Sequence, residues 1–425
     1  MKRAMTGSYE EVRLVKFHTP ALLSERERAA ARRRFCTLLV PPQKGGFGGN
    51  AYVRRVQSGD RAFELALKMP RPDAQPEQEQ LNRETLEEEY RTLSVVSNLR
   101  GFPDVYGFGY AADGTPALLM EWVDGVSLLD ARPALCDGAA TCPGDIVAAL
   151  GLSVLKIILS TQSLDTPFVH RDLSMRNIML RHDRIPLEEQ VSSGYFDICL
   201  IDMGSAKLVK PDFSFTVDVN AFRGATPAYA APEMLERFKA DPGARDNPAV
   251  DIYALGSILY ELYCGHAPFE AELRRSGDYA RLKRTVQPQP LAPATPREQG
   301  LVNAIMACLA VSQDARPSAN ELAARLEPFA RTGAPRKRRP VANRGSAIIP
   351  VGATAPASAA APARAAAQAQ SASRPTPSTE TARSAESMRR ARLAVKRQRS
   401  MALTMVILAL IAIVVILTLA SAGML

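Results

Sequence analysis

No two of the six cysteines, at 36, 136, 142, 199, 264 and 308, have the spacing of zinc ligands. Cys136 and Cys142 are the nearest pair and have no histidine beside them, so a zinc site is excluded and a disulfide framework is not expected. Cys199 lies in the apolar run DICLI and reads as a small buried hydrophobe. Such a set suits a reducing cytoplasm. The N-terminal stretch MKRAMTGSYEEVRLVKF lacks an apolar core and is not expected to act as a signal peptide. The main body of the chain also lacks excess positive charge. The formal net charge is +9, but residues 331–400 hold 15 Lys/Arg against 2 Asp/Glu, a net of +13, and 401–425 hold none, which leaves −4 for the rest. The basic character belongs to a tail, and no nucleic-acid partner is expected.

The 425 residues are 46% apolar, enough for a sizeable core. Residues 1–34 read as a polar N-terminal extension with one short helix across LLSERERAAARRR, and regular structure is expected over 35–330, beginning at FCTLLV. Between 331 and 400 the composition turns to Ala, Pro, Ser, Arg and Thr, with few large apolar residues before about 387. Such a stretch buries too little surface to offset its ordering entropy and is expected to be a disordered basic linker, spanning roughly 40 Å on average. MALTMVILALIAIVVILTLASAGML then runs from 401 without a charge. Residues 401–423 are expected to form a single transmembrane helix, long enough to cross a hydrocarbon core of about 30 Å. The basic RRARLAVKRQRS before it favours the cytoplasmic side. The expected localisation is therefore the cell membrane, single-pass, with the body in the cytoplasm and no extracellular domain.

The chemistry-bearing residues come in a fixed order. QKGGFGGNAYVRRV (43–56) carries Gly45, Gly46, Gly48 and Gly49, which would let backbone close tightly over phosphates. RAFELALKMP follows a hairpin turn at QSGD. Phe63, Leu65 and Leu67 share one strand face there, so Ala66 and Lys68 share the other, a small residue beside a cation as adenine and its phosphates require. Leu86, Tyr90, Leu93 and Val96 form a helical stripe, and at 100° per residue Glu89 falls on its inward side while Glu87 and Glu88 turn away. Glu89 is thus the expected partner of Lys68. PALLMEWVDG offers backbone at Glu121 and Val123 to an adenine edge, with Met120 behind, and the amphipathic run DIVAALGLSVLKIIL follows. FVHRDLSMRNIML (168–180) supplies Asp172, placed to accept or orient a hydroxyl proton, and Asn177, placed to bind Mg²⁺. DICLIDMG ends a strand in Asp202, which would bridge metal to phosphates.

Together with GATPAYAAPE (224–233), DIYALGSILYELYCGHAPF (251–269) and the pair Arg316-Pro317, these motifs resemble a bacterial eukaryotic-type (Hanks-type) Ser/Thr protein kinase over about 35–329. The resemblance implies an α+β, two-lobed protein kinase fold: a five-stranded sheet with one key helix, then a larger helical lobe. It implies ATP and Mg²⁺ as cofactors and protein substrates as partners. It further implies that Asp251 anchors the loop of Asp172 and that Arg316 pairs with Glu233. Kinases of small molecules share Asp, Asn and a second Asp, but the peptide-platform motifs favour the protein kinases. The chain departs from the family in three places. Lys44 stands at the first glycine position and Ala51 where a Val usually covers adenine. Residues 181–196 are longer than usual and suggest an extended hairpin tip. Ser174 replaces the family's phosphate-contacting lysine, which raises a membrane-tethered pseudokinase or scaffold as the alternative. Arg176, four residues after Asp172, could restore the charge. Arg171 could receive a phosphorylated loop, with Ser214 and Thr216 as candidate sites, and a homodimer would serve autophosphorylation.

Overall fold

The alternation of apolar residues read from 63–67 has a counterpart at Thr37–Val40, where half-buried and buried positions alternate. The computed structural model describes residues 9–20, 23–41, 46–48, 51–71, 76–166, 168–208, 226–235, 242–272 and 278–331. Gly45, Gly49, Ser214, Thr216, the linker beyond 331 and the 401–423 segment lie outside the described residues. Among the described residues one sheet holds β1 (Glu10–Arg13), β2 (Val15–His18), β3 (Thr37–Val40), β4 (Gly46–Gly48), β5 (Ala51–Ser58), β6 (Glu64–Pro70), β7 (Val105–Tyr110) and β8 (Pro116–Glu121). Its order is β1-β3-β5-β6-β8-β7-β2, with β4 hairpinned onto β5.

The two ends of that order, β1 and β2, are joined in the chain by Leu14 alone, so the sheet curls until its edges meet across one residue. The curl encloses a second core of Leu14, Phe17, Phe35, Leu38, Val56, Leu65, Leu67 and Leu119, capped by α1 (Glu25–Phe35). Gly107 in β7 admits the Phe17 ring, because a Cβ there would lie 2.3 Å from Phe17 Cζ. The helix read at LLSERERAAARRR is present, started by a Ser24/Glu27 capping box. Two expectations are corrected. Residues 10–35 belong to the sheet lobe rather than standing outside it, and the lobe has eight strands instead of five.

On the other face of the sheet lies α2 (Pro76–Val96), with Leu86, Leu93 and Val96 buried and Tyr90 stacked on Phe108 at 5.5 Å. The second lobe holds α3 (Leu128–Leu135), α4 (Gly144–Thr161), α5 (Leu187–Ser193), α6 (Ala249–Cys264), α7 (Tyr279–Thr285), α8 (Gln299–Cys308) and α9 (Ala319–Leu326). Short strands β9 (Gly125–Ser127), β11 (Ile178–Arg181) and β12 (Ile198–Leu200) form a small sheet, and β10 (Phe168–Val169) pairs with β13 (Lys207–Leu208). Helix α6 is apolar almost all round and is buried almost all round, as such a helix must be. Among the described residues α4 is long and apolar enough to cross a membrane, but 67% of it is buried in the fold, so it is a core helix.

The 181–196 stretch links β11 to β12, which pair antiparallel, so it is the tip of a hairpin as expected, and it carries α5, where buried Gln190 donates to the carbonyl of Ile185 and accepts from the Asp197 N–H. Two further expectations are corrected. Cys136 and Cys142 are joined as a disulfide, since Asp137 and Gly138, both at positive φ, fold the chain back to a Cα separation of 4.1 Å. Arg331, assigned to the linker, is fixed to Asp145 by an ion pair of 2.7 Å.

Phe17 is 5% exposed in the core that the curled sheet encloses. Replacing it with Ala should cost about 3 kcal/mol or more in denaturant unfolding. A loss under about 1 kcal/mol would show that closure adds little to the lobe.

Candidate active site

Lys68 projects from β6 and is 4% exposed. Its Nζ donates to Glu89 Oε1 at 2.8 Å and to Asp202 Oδ1 at 2.7 Å. Three elements meet in that one ammonium: the sheet, α2 and the turn after β12. Glu89 is 1% exposed and also accepts from the Met203 N–H at 3.2 Å, so α2 is tied to the same turn twice. Asp202 has φ 64 where β12 ends and a short 3-10 helix (Met203–Ser205) begins, with the Gly204 N–H capping its carboxylate. Burial alone would push Lys68 down, but the Asp202 and Glu89 carboxylates reverse it and hold the ammonium above its ordinary value. Burial likewise opposes ionisation of Asp202, and Lys68 overcomes it, leaving that carboxyl below its usual range. Burial raises Glu89, with Lys68 opposing.

The loop after β10 brings the next groups. Asn177 Nδ2 donates to the Asp172 carbonyl at 2.9 Å and to its Oδ2 at 3.0 Å. Thr226 donates its N–H (2.8 Å) and its hydroxyl (3.1 Å) to Asp172 Oδ1. Burial, aided by the like charge of Asp202, lifts Asp172 to about 7 against the donors of Thr226 and Asn177. The loop itself is pinned from below by α6: Asp251 accepts from the N–H groups of His170 and Arg171 at 2.8 and 2.9 Å. Arg171 is held by the Asp246 carboxylate and the Arg245 carbonyl, a partner the sequence gave no sign of. Arg316 makes a two-pronged pair with Glu233 at 2.6 and 3.0 Å.

Lys68, Glu89, Asp172, Asn177 and Asp202 all face one cavity of about 740 Å³, with Ala51, Ala66, Met120, Glu121 and Val123 at its apolar end. Gly46 and Gly48 lie in β4, in register with Val53 and Ala51. Ser174 is 2% exposed, whereas Arg176 is exposed, lines the cavity and has no ion-pair partner among the described residues. Residues that sequence reasoning missed include Val53, Trp122, Met179 and Ile201 in the lining. Val53 shares a strand face with Ala51, a period-2 signal that was available. The Glu121 carboxylate is claimed by the Arg181 guanidinium, and its N–H donates to the Asp104 carbonyl, so neither of these groups is turned to the cavity. Asn177 and Asp202 offer hard oxygen donors of the kind Mg²⁺ takes, so the residues present fit that ion.

A model of the protein kinase domain matches residues 42–326. The chain belongs to the protein kinase family. Among similar proteins, serine/threonine-protein kinase pkn2 of Myxococcus xanthus is 28% identical over 67% of this chain and 31% of its own length. The DNA damage-responsive serine/threonine-protein kinase RqkA of Deinococcus radiodurans is 27% identical over 67% of this chain and 38% of its own length. Serine/threonine-protein kinase PknK of Mycobacterium tuberculosis is 30% identical over 61% and 20%, respectively. The chain thus spans about a third or less of two of these relatives and under two fifths of the third. The match supports the mixed α/β kinase architecture and begins at 42, downstream of the strands that close the sheet in this family member.

The kinase platform at Glu233 depends on a fully desolvated pair, since the Arg316 side chain is 0% exposed. Arg316→Met should cost about 3 kcal/mol in denaturant unfolding, because it strands a buried carboxylate. A change within about 1 kcal/mol would mean that Gln313, which donates to the same oxygen at 2.7 Å, suffices.

Proposed function

We propose that this chain is an ATP-dependent serine/threonine protein kinase that transfers the γ-phosphoryl of ATP to protein hydroxyls, tethered to the cytoplasmic face of the cell membrane. The observation that supports it best is Lys68 engaged with Glu89 and Asp202 together, facing the same cavity as Asp172 and Asn177. Positioning and charge neutralisation are most of what phosphoryl transfer asks of a protein. In this reading adenine lies among Ala51, Ala66, Met120 and Val123, and Lys68 steadies the phosphates. Asn177 and Asp202 would hold Mg²⁺, which when bound neutralises phosphate charge. The substrate hydroxyl oxygen forms a bond to the γ-phosphorus, the β–γ bridging P–O bond breaks, ADP leaves, and Asp172 takes the hydroxyl proton. The naming of the bacterial relatives supports the aliphatic hydroxyls of Ser and Thr over the Tyr phenol as substrates, as does the resemblance of GATPAY, with Thr226, to Ser/Thr kinases.

Arg176 answers the loss at Ser174. Arg176 is exposed, lines the cavity and has no ion-pair partner among the described residues, whereas Ser174 is buried and carries no charge. Regulation through Arg171 is less favoured by the geometry, because Asp246 already meets its guanidinium. The scaffold alternative makes the opposite forecast for catalysis. Membrane anchoring rests on the uncharged 401–423 run and the basic stretch before it.

The purified chain with Mg·ATP should label a generic basic protein, and Asp172→Asn should cut that labelling about a hundred-fold or more. Equal labelling by both, or none by either, would favour the scaffold. Arg176→Ala should lower turnover roughly ten-fold or more, and an unchanged rate would send the search for that charge elsewhere. In cells, the full chain should sediment with membranes and a chain ending at 400 should not. Soluble behaviour of both would remove the anchor.

A further inference from the structure

Lys283 is among the largest fully buried side chains, at 1% exposure, and nothing in the phosphoryl-transfer site calls for it. It extends from α7 into the turn that follows Thr226. Its ammonium donates to the carbonyls of Pro227 at 2.8 Å, Ala228 at 3.0 Å and Ala230 at 2.6 Å. The geometry suits the group, because an ammonium has three donors and three carbonyls converge on it. The same turn is secured on its N–H side by Tyr229 and Ala230, which both donate to the Thr226 carbonyl at 3.0 Å. Its remaining side chain is fixed too: the Tyr229 hydroxyl donates to Glu261 at 2.9 Å, and Glu261 pairs with Arg132 at 3.3 Å.

A buried ammonium is costly, and burial pushes Lys283 down to about 7. An apolar residue of similar length would fill the space without that cost. Yet the turn has no ladder or helix to satisfy its carbonyls, and buried carbonyls need donors. The Tyr253 ring, 5.3 Å from Nζ, adds a favourable face. The nearby Glu233 carboxylate is met by Arg316 and Gln313.

The turn begins at the residue that holds Asp172, and Thr226 lines the cavity where a hydroxyl must arrive. Thr226, Pro227 and Ala228 are the accessible residues of this turn, while Tyr229 and Ala230 are buried. We propose that Lys283 is a positioning residue for the protein substrate, a staple that fixes the turn Thr226–Ala230 so that Thr226, Pro227 and Ala228 form the substrate's resting surface and Thr226 is set on Asp172. The proposal rests on the protein kinase reading for its consequence but not for the staple itself.

The test uses the full chain and its Lys283→Met variant, with melting curves to show that both are folded. Backbone amide hydrogen exchange over 226–235 should be slow in the wild type and at least ten-fold faster in the variant, with α2 unchanged. The KM for a generic basic protein should rise at least ten-fold while the KM for ATP stays put. Freely exchanging amides in the wild-type turn would overturn the staple even if the variant fails to fold. Faster exchange with an unchanged protein KM would overturn the positioning role. If the wild type transfers no phosphate, the kinase reading and with it the substrate role fall, while hydrogen exchange alone still decides the staple.

Discussion

The site depends on one buried ammonium. Lys68 is satisfied only when β6, α2 and the turn bearing Asp202 are all in place, because its partners Glu89 and Asp202 come from separate elements. Withdrawing α2 would leave Glu89 and Lys68 to face desolvation without each other, and a buried charge without a partner is expensive. The arrangement is a weak source of net stability and a strong source of geometry. It selects the one packing in which the cavity's polar wall is complete.

A second set of buried polar contacts fixes the opposite wall. Asp251 on α6 takes the two N–H groups that open the loop of Asp172. Burial raises Asp251 to about 6, so those donors matter for keeping it charged near neutrality. Arg316 and Glu233 fasten the segment beyond Thr226 to the same helical core, and Lys283 meets the carbonyls between. Both walls are thus built from rigid elements, and the reactive groups sit on short connections hung from them. The N-terminal residues belong to this frame, since β1 and β2 close the sheet from which Lys68 projects.

The local periodicities made much of this legible in the sequence. Alternation put Ala66 with Lys68, and a helical stripe singled out Glu89 from its neighbours; the 2.8 Å pair has that geometry. Asp251 and Arg316 meet the partners that the family resemblance implied. What stayed hidden depends on contacts without a period. β1 and β2 are four residues each, and their place follows from Leu14 bridging two distant sheet edges. Asp246 reaches Arg171 across 75 positions, and α5 depends on Gln190 finding a backbone acceptor and donor. The disulfide needed a turn through two positive-φ residues that spacing alone does not announce. Long-range polar pairing of this sort is set by the tertiary fold, so no window of sequence contains it.

The most direct measurement is transfer of the γ-phosphoryl from Mg·ATP to a protein acceptor by the wild type beside Lys68→Met, with both shown to be folded. The account predicts incorporation by the wild type and loss of about a hundred-fold or more in the variant, since Lys68 joins the carboxylates of Glu89 and Asp202 at the polar wall of the cavity. Comparable incorporation by the two proteins, or none by the wild type, would contradict it.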